Sequence, residues 1–111
     1  LDAPCSGTGV IRRHPDIKLL RRADDIHGYA ATQMQLLERC AGLLREGGRL
    51  VYATCSVLPT ENQELVDRFL SRHREFTRIA PDLVLLPVPR AAGPAAVTDG
   101  FFYASLTRGA A

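Results

Sequence analysis

The chain has 111 residues, 46% hydrophobic and 23% charged, which excludes a disordered polypeptide and fits one small domain with a modest core. Its formal net charge of +2 does not by itself select a partner. The sequence holds no apolar run of about 18 residues, so no membrane-spanning helix is expected, and no signal peptide is visible.

The first residue is Leu1, and Leu1-Asp2-Ala3-Pro4 reads as the end of a strand whose beginning is missing. The expectation is a fragment of a larger protein. Cys5-Ser6-Gly7-Thr8-Gly9 follows as a loop of small residues leaving that strand. Arg12, Arg13, Lys18, Arg21 and Arg22 then place five of the 14 Lys/Arg residues in eleven positions. Such a cluster is either a solvated face or a phosphate-binding patch. A short helix is expected after Pro15, since proline suits a first helical position.

From Ile26 to Arg45 the apolar spacing is helical, with Met34, Leu36, Leu37, Cys40, Leu43 and Leu44 on a broad face. Gly47-Gly48 stops that helix. Leu50 to Thr54 is short, apolar and β-prone, a buried strand. Thr60 and Gln63 have capping-box spacing, and the helix they open is expected to reach Arg72 and bury Leu65, Val66, Phe69 and Leu70. Phe76–Ile79 reads as a strand, residues 81–98 as a long loop, Asp99-Gly100 as a turn and Phe101–Leu106 as the last strand. Strands alternating with helices predict an α/β fold with a mostly parallel sheet, in which ligands sit beyond the C-terminal strand ends.

Two of the three cysteines, Cys5 and Cys55, fall at such strand ends, and Cys40 lies within a helix. Three cysteines without CxxC or Cys/His spacing fit neither a disulfide framework nor a zinc site, and reduced thiols in a cytoplasmic, metal-free protein are expected. A strand-end cysteine ahead of a helix start is placed to form the reactive thiolate, although a free cysteine is more commonly a small buried hydrophobe. Two such thiols with the carboxyl of Asp2 beside one of them form a constellation that suits catalysis. Gly7-Thr8-Gly9 is not a dinucleotide fingerprint, because Arg12 stands where the third glycine belongs, and no GK[ST] follows for a phosphate loop. Gly7 and Gly9 allow either close approach of a ligand or a simple turn. Pro4 fixes φ and removes a donor where the chain leaves the strand. Tyr29, Tyr52, Phe101 and Phe102 are expected in the core.

Asp2-Ala3-Pro4-Cys5-Ser6-Gly7-Thr8-Gly9 resembles the Pro-Cys motif of the RNA cytosine carbon-5 methyltransferases, the NOL/NOP2/Sun family. Tyr52-Ala53-Thr54-Cys55-Ser56 resembles their Thr-Cys motif, with Pro59 and Glu61-Asn62 following as in the family, and Asp99-Gly100-Phe101-Phe102 resembles their closing strand. Arg12 to Lys18 is similar to the bacterial 16S ribosomal RNA enzymes of the Sun/Fmu type.

The resemblance implies the C-terminal half of a Rossmann-like, S-adenosylmethionine-dependent methyltransferase fold, a mostly parallel sheet with a last antiparallel strand, over residues 1–111. It implies that Cys55 is the nucleophile, that Cys5 serves product release as a base directly or through water, and that Asp2 relieves ring charge or contacts the cofactor, with Pro4 beside it. It also turns Arg12, Arg13, Lys18, Arg21 and Arg22 toward RNA phosphates, most naturally those of small-subunit rRNA. The family's glycine-rich cofactor loop and its N-terminal RNA-binding region are expected upstream and are not in this sequence. One alternative exchanges the thiols, with Cys5 attacking. Another is a non-catalytic RNA-binding or ribosome-assembly module that retains the fold.

Overall fold

The computed structural model describes residues 1–87 and 99–109. In chain order these form α1 (Asp16–Leu20), α2 (Ala23–Leu43), β1 (Arg49–Thr54), α3 (Gln63–Arg72), β2 (Phe76–Arg78), β3 (Leu83–Leu85) and β4 (Phe101–Arg108), with 3-10 turns at Thr8–Val10 and Pro59–Glu61.

The last strand organises the sheet. β4 pairs antiparallel with β1 on one side and with β2 and β3 on the other. Its register sets Leu50 opposite Leu106, Tyr52 opposite Ala104 and Thr54 opposite Phe102. All six are buried, so the ladder aligns the inward positions of both strands on one face, as a period of two requires. Leu37 of α2 and Leu65, Val66 and Phe69 of α3 join these strands in one core.

The mostly parallel sheet expected from the sequence is not what these residues build. Beyond the first three residues, every ladder among them is antiparallel, because β4 inserts between strands that share a direction. Parallel pairing occurs at one place, where Asp2 bridges Ala53. There Ala3 N–H donates to the Ala53 carbonyl and Ala53 N–H to the Leu1 carbonyl, both at 2.9 Å. The antiparallel last strand itself is as expected.

Local differences have local causes. α2 begins at Ala23 rather than Ile26, since the Asp25 carboxylate accepts the Arg22 backbone N–H at 2.9 Å and Asp24 and Asp25 favour a helix N-terminus. Leu43, expected on the apolar face, is 86% exposed in the last turn. Gly47 takes φ +80° and donates its N–H to the Arg108 carbonyl, turning the chain into β1. The Thr60–Gln63 capping box does not form. Asn62 occupies the N-cap position of α3, and its side chain is committed to the end of β1, accepting from Thr54 Oγ1 at 2.6 Å and donating to the Ser56 carbonyl at 2.9 Å. β3 lies within the stretch read as loop, where Leu83-Val84-Leu85 supplies β-prone residues. Residues 88–98 of that stretch lie outside the described residues. No helix among the described residues is long and apolar enough to cross a membrane.

Candidate active site

The parallel bridge at Asp2 and Ala53 sets two strand ends side by side, and each continues into a cysteine. The Cys5 and Cys55 sulfurs lie 3.1 Å apart. A disulfide measures about 2.0 Å, so these are two thiols in hydrogen-bonding contact, both part-buried. Burial, and then the hydrogen bond with Cys55, push the Cys5 thiol up from its ordinary 9.0 to about 12. The Gly7 backbone pulls the other way without cancelling this. Cys5 therefore keeps its proton at neutral pH, and either sulfur can donate in the contact. Cys40 sits in α2, packed against the core, away from both.

A cavity of about 430 Å³ opens beside the pair, lined by Asp2, Arg13, Thr54, Cys55, Phe101 and Tyr103 among others. Its volume falls within the range of about 300–1,000 Å³ typical of small-ligand sites. Asp2 is exposed at its edge. Cys55 lines this space and Cys5 does not. Pro4 is exposed and its carbonyl accepts from Gln33 Nε2 at 2.9 Å. Phe101 and Tyr103, on the sheet face opposite the helices, are half-buried, while Tyr52 and Phe102 are core.

The glycines of the first motif pack against the chain itself. Gly9 N–H donates to the Cys55 carbonyl at 2.8 Å, and Gly9's own carbonyl accepts the Gly100 N–H at 2.6 Å. A side chain at Gly9 would strike the Cys55 carbonyl oxygen at 2.6 Å. The three motif segments thus meet backbone to backbone, and the close approach of Gly9 is to protein.

The basic cluster divides. Arg12 and Arg13 both pair with Asp99, at 3.1 and 2.7 Å, while remaining about half exposed. Arg21 donates Nε to the Ser6 carbonyl at 2.7 Å and lies over the Tyr29 ring. Lys18 and Arg22 are exposed, and neither forms an ion pair among the described residues.

Glu61 is a site residue to which sequence reasoning gave no role. It is fully buried, and its carboxylate accepts from Ser6 N–H, Ser6 Oγ, Gln33 Nε2 and Ser56 Oγ. Its backbone carbonyl accepts the Tyr52 hydroxyl at 2.6 Å. Burial, with the Glu61 charge second, pushes that hydroxyl far above its ordinary range. Glu61 ends the 3-10 turn before α3, outside the helix, so helical spacing gave no signal for its burial. Among the described residues, no group of three or more His, Cys, Asp or Glu side chains is placed to hold a metal ion.

Solved structures share this architecture. The protein PH0851 superposes with a TM-score of 0.85 and 33% identity over 97% of this chain and 26% of its own. NSun6 from Pyrococcus horikoshii, solved with SFG, gives 0.74 and 28% over all of this chain and 29% of its own. A methyltransferase homolog protein from Pyrococcus horikoshii gives 0.70 and 32% over 97% of this chain and 37% of its own. The fold is therefore the α/β fold of S-adenosylmethionine-dependent methyltransferases. Residues 1–107 match the family described as 16S rRNA methyltransferase RsmB/F, and the chain belongs to that family. Ribosomal RNA small subunit methyltransferase B of Erwinia tasmaniensis is 51% identical over 108 residues, and that of Yersinia pseudotuberculosis 50% over 114. In both, the match covers 97% of this chain and 25% of the relative, so the chain spans about a quarter of their length.

Proposed function

We propose that this chain carries the thiol pair of an rRNA methyltransferase that methylates carbon-5 of a cytosine through a covalent cysteine adduct. The observation that carries the reading is the 3.1 Å contact between Cys5 and Cys55 beside a cavity that Cys55 and Asp2 share. A binding module has no need of two touching thiols at a ligand-sized space.

Carbon-5 of cytosine is a poor nucleophile. Addition of the Cys55 thiolate to carbon-6 pushes electron density onto carbon-5 and the ring nitrogen, which is covalent catalysis. Asp2, exposed at the edge of the same cavity, is placed to meet the charge that develops on the ring. When bound, S-adenosylmethionine supplies an electrophilic methyl group. Asp2 and Pro4, both exposed at the strand end where α/β sheets hold ligands, fit its near side.

For release, the carbon-5 proton leaves to a base, the carbon-6–sulfur bond breaks, and Cys55 departs as thiolate. Cys5 retains its proton and sits at 3.1 Å, so it donates to the departing sulfur, and water takes the carbon-5 proton. The same donor stabilises the attacking thiolate in the forward direction.

Lys18 and Arg22, with the free edges of Arg12 and Arg13, supply phosphate contacts to RNA, whereas Arg21 positions the Cys5 loop through the Ser6 carbonyl. An rRNA substrate places the activity in the cytoplasm.

Trapping with 5-fluorocytosine RNA tests the reading in the protein containing this segment. The adduct is expected to vanish in Cys55→Ala and to persist in Cys5→Ala, and the opposite pattern would make Cys5 the attacker. With ordinary RNA, Cys5→Ser retains a donor and should release product better than Cys5→Ala. Equal failure of both variants would mean that Cys5 acts as a base.

A further inference from the structure

Glu61 is buried without a cationic partner among the described residues. An uncompensated buried carboxylate is costly to keep for packing alone. Its four donors explain how it persists, and their origin explains what it does. Oε1 accepts from Ser6 N–H at 2.8 Å and Gln33 Nε2 at 3.2 Å. Oε2 accepts from Ser6 Oγ at 2.7 Å and from Ser56 Oγ. Ser6 directly follows Cys5, and Ser56 directly follows Cys55. Thr8 Oγ1 joins the two loops a second time, 3.2 Å from both hydroxyls and accepting the Val57 N–H at 3.1 Å. Gln33 ties the Pro4 carbonyl into the same network.

We propose that Glu61 is a positioning residue whose buried carboxylate clamps the loops carrying Cys5 and Cys55, so that the two sulfurs stay in contact. The inference deepens the methyltransferase reading and rests on it for its catalytic meaning. The clamp itself is a matter of thiol geometry and is open to test without RNA or cofactor.

The four donors divide in a way that makes the conservative variant informative. Ser6 N–H and the Gln33 NH2 group can only donate, and both face Oε1. The two serine hydroxyls face Oε2, and a hydroxyl can turn to accept. A glutamine at position 61 can therefore keep its oxygen toward the two obligate donors and offer its NH2 to the hydroxyls. Glu61→Gln preserves the clamp, and Glu61→Ala removes it.

The experiment is equilibration of the purified chain with glutathione redox buffers. Two protein thiols are oxidised to the Cys5–Cys55 disulfide, and one glutathione disulfide is reduced to two thiols that take up the two protons. Peptide mass mapping scores Cys5–Cys55 separately from Cys40. The equilibrium gives the effective concentration of one sulfur at the other. Glu61→Ala is expected to lower it by about tenfold or more, the loss expected when a charge-assisted hydrogen bond stops holding a pair in place. Glu61→Gln should stay within about threefold of the parent on the same scale. Leu65→Ala, a core truncation on the same helix, should destabilise the chain and leave the effective concentration of its folded form unchanged.

A parent-like value in Glu61→Ala, or an equal fall in Leu65→Ala, would overturn the clamp. A fall in Glu61→Gln as deep as in Glu61→Ala would overturn hydrogen-bond geometry as its basis. If these values hold and the 5-fluorocytosine trap fails, the clamp stands and the methyl-transfer reading falls.

Discussion

Replacing Gly9 with alanine tests the packing that joins the three motif segments. A Cβ there would sit 2.6 Å from the Cys55 carbonyl oxygen, 2.7 Å from the Gly100 carbonyl carbon and closer still to the Gly100 carbonyl oxygen. All of these are backbone atoms, so no rotamer change relieves the clash. The strands must separate, and the two hydrogen bonds that Gly9 makes across the junction, at 2.8 and 2.6 Å, are weakened or lost. Each is worth about 1 kcal/mol net, and overpacking adds about 1–3 kcal/mol. The expected cost is about 3–5 kcal/mol, a fall in melting temperature of about 12–20 °C for a chain of this size. Thermal unfolding followed by circular dichroism reads it. Gly28→Ala and Gly42→Ala are the controls, since nothing lies within 4 Å of a Cβ at either helical position. Each should stabilise the chain by up to about 1 kcal/mol. A Gly9→Ala variant within about 1 kcal/mol of the parent would refute the reasoning.

Three further outcomes are expected. The Cys5 thiol titrates at about 12 when folded against an ordinary 9.0, so the folded state holds the proton more tightly. The stability this contributes is fully present below pH 9 and is lost between about pH 9 and 12. Urea midpoints should fall across that window and fall less in Cys5→Ser, and identical slopes for the two proteins would exclude the shift. By calorimetric titration this chain alone should bind S-adenosylmethionine weakly or not at all, because the Gly9 backbone of its Gly7-Thr8-Gly9 loop is taken up by Cys55 and Gly100. Tight one-to-one binding contradicts this. Lys18→Ala and Arg22→Ala should each reduce the slope of log affinity for single-stranded RNA against log salt by about 0.7, measured by filter binding across a salt series. An unchanged slope removes those residues from the RNA surface.

What was legible in the sequence was whatever depends on neighbours along the chain. Leu50 to Thr54 was legible as a strand, although only Leu50, Tyr52 and Thr54 are buried and Val51 is 46% exposed, and Cys55 follows at its end whatever the sheet does. The placement of Cys5 was legible for the same reason. The sheet's direction was not, because it depends on where β4 inserts, about fifty residues from β1. Nothing in Phe101–Arg108 marks it as a central strand antiparallel to both sides. Leu83–Leu85 escaped because a three-residue strand lies beside prolines that read as loop. The role of Glu61 escaped because a carboxylate two residues after a proline reads as surface. Its burial depends on Ser6 and Gln33, 55 and 28 positions away.

The proposal that Cys55 attacks rests on surroundings rather than on the side chains, which are identical. Both sulfurs end adjacent strands and touch, so whichever reacts first has the other at hand. Cys5 is the sulfur whose proton is held by burial and by its neighbour, and it does not line the cavity. Cys55 does line it, beside Asp2. Under the proposed reading a ring bound there is attacked by Cys55, with the Cys5 thiol in contact with the attacking sulfur. For Cys5 to attack, the buried thiol would have to give up its proton beside a second sulfur. Like-charge repulsion and desolvation both oppose that order of events. The proposed order, with Cys55 attacking, avoids that cost, and the 5-fluorocytosine trap decides between the two.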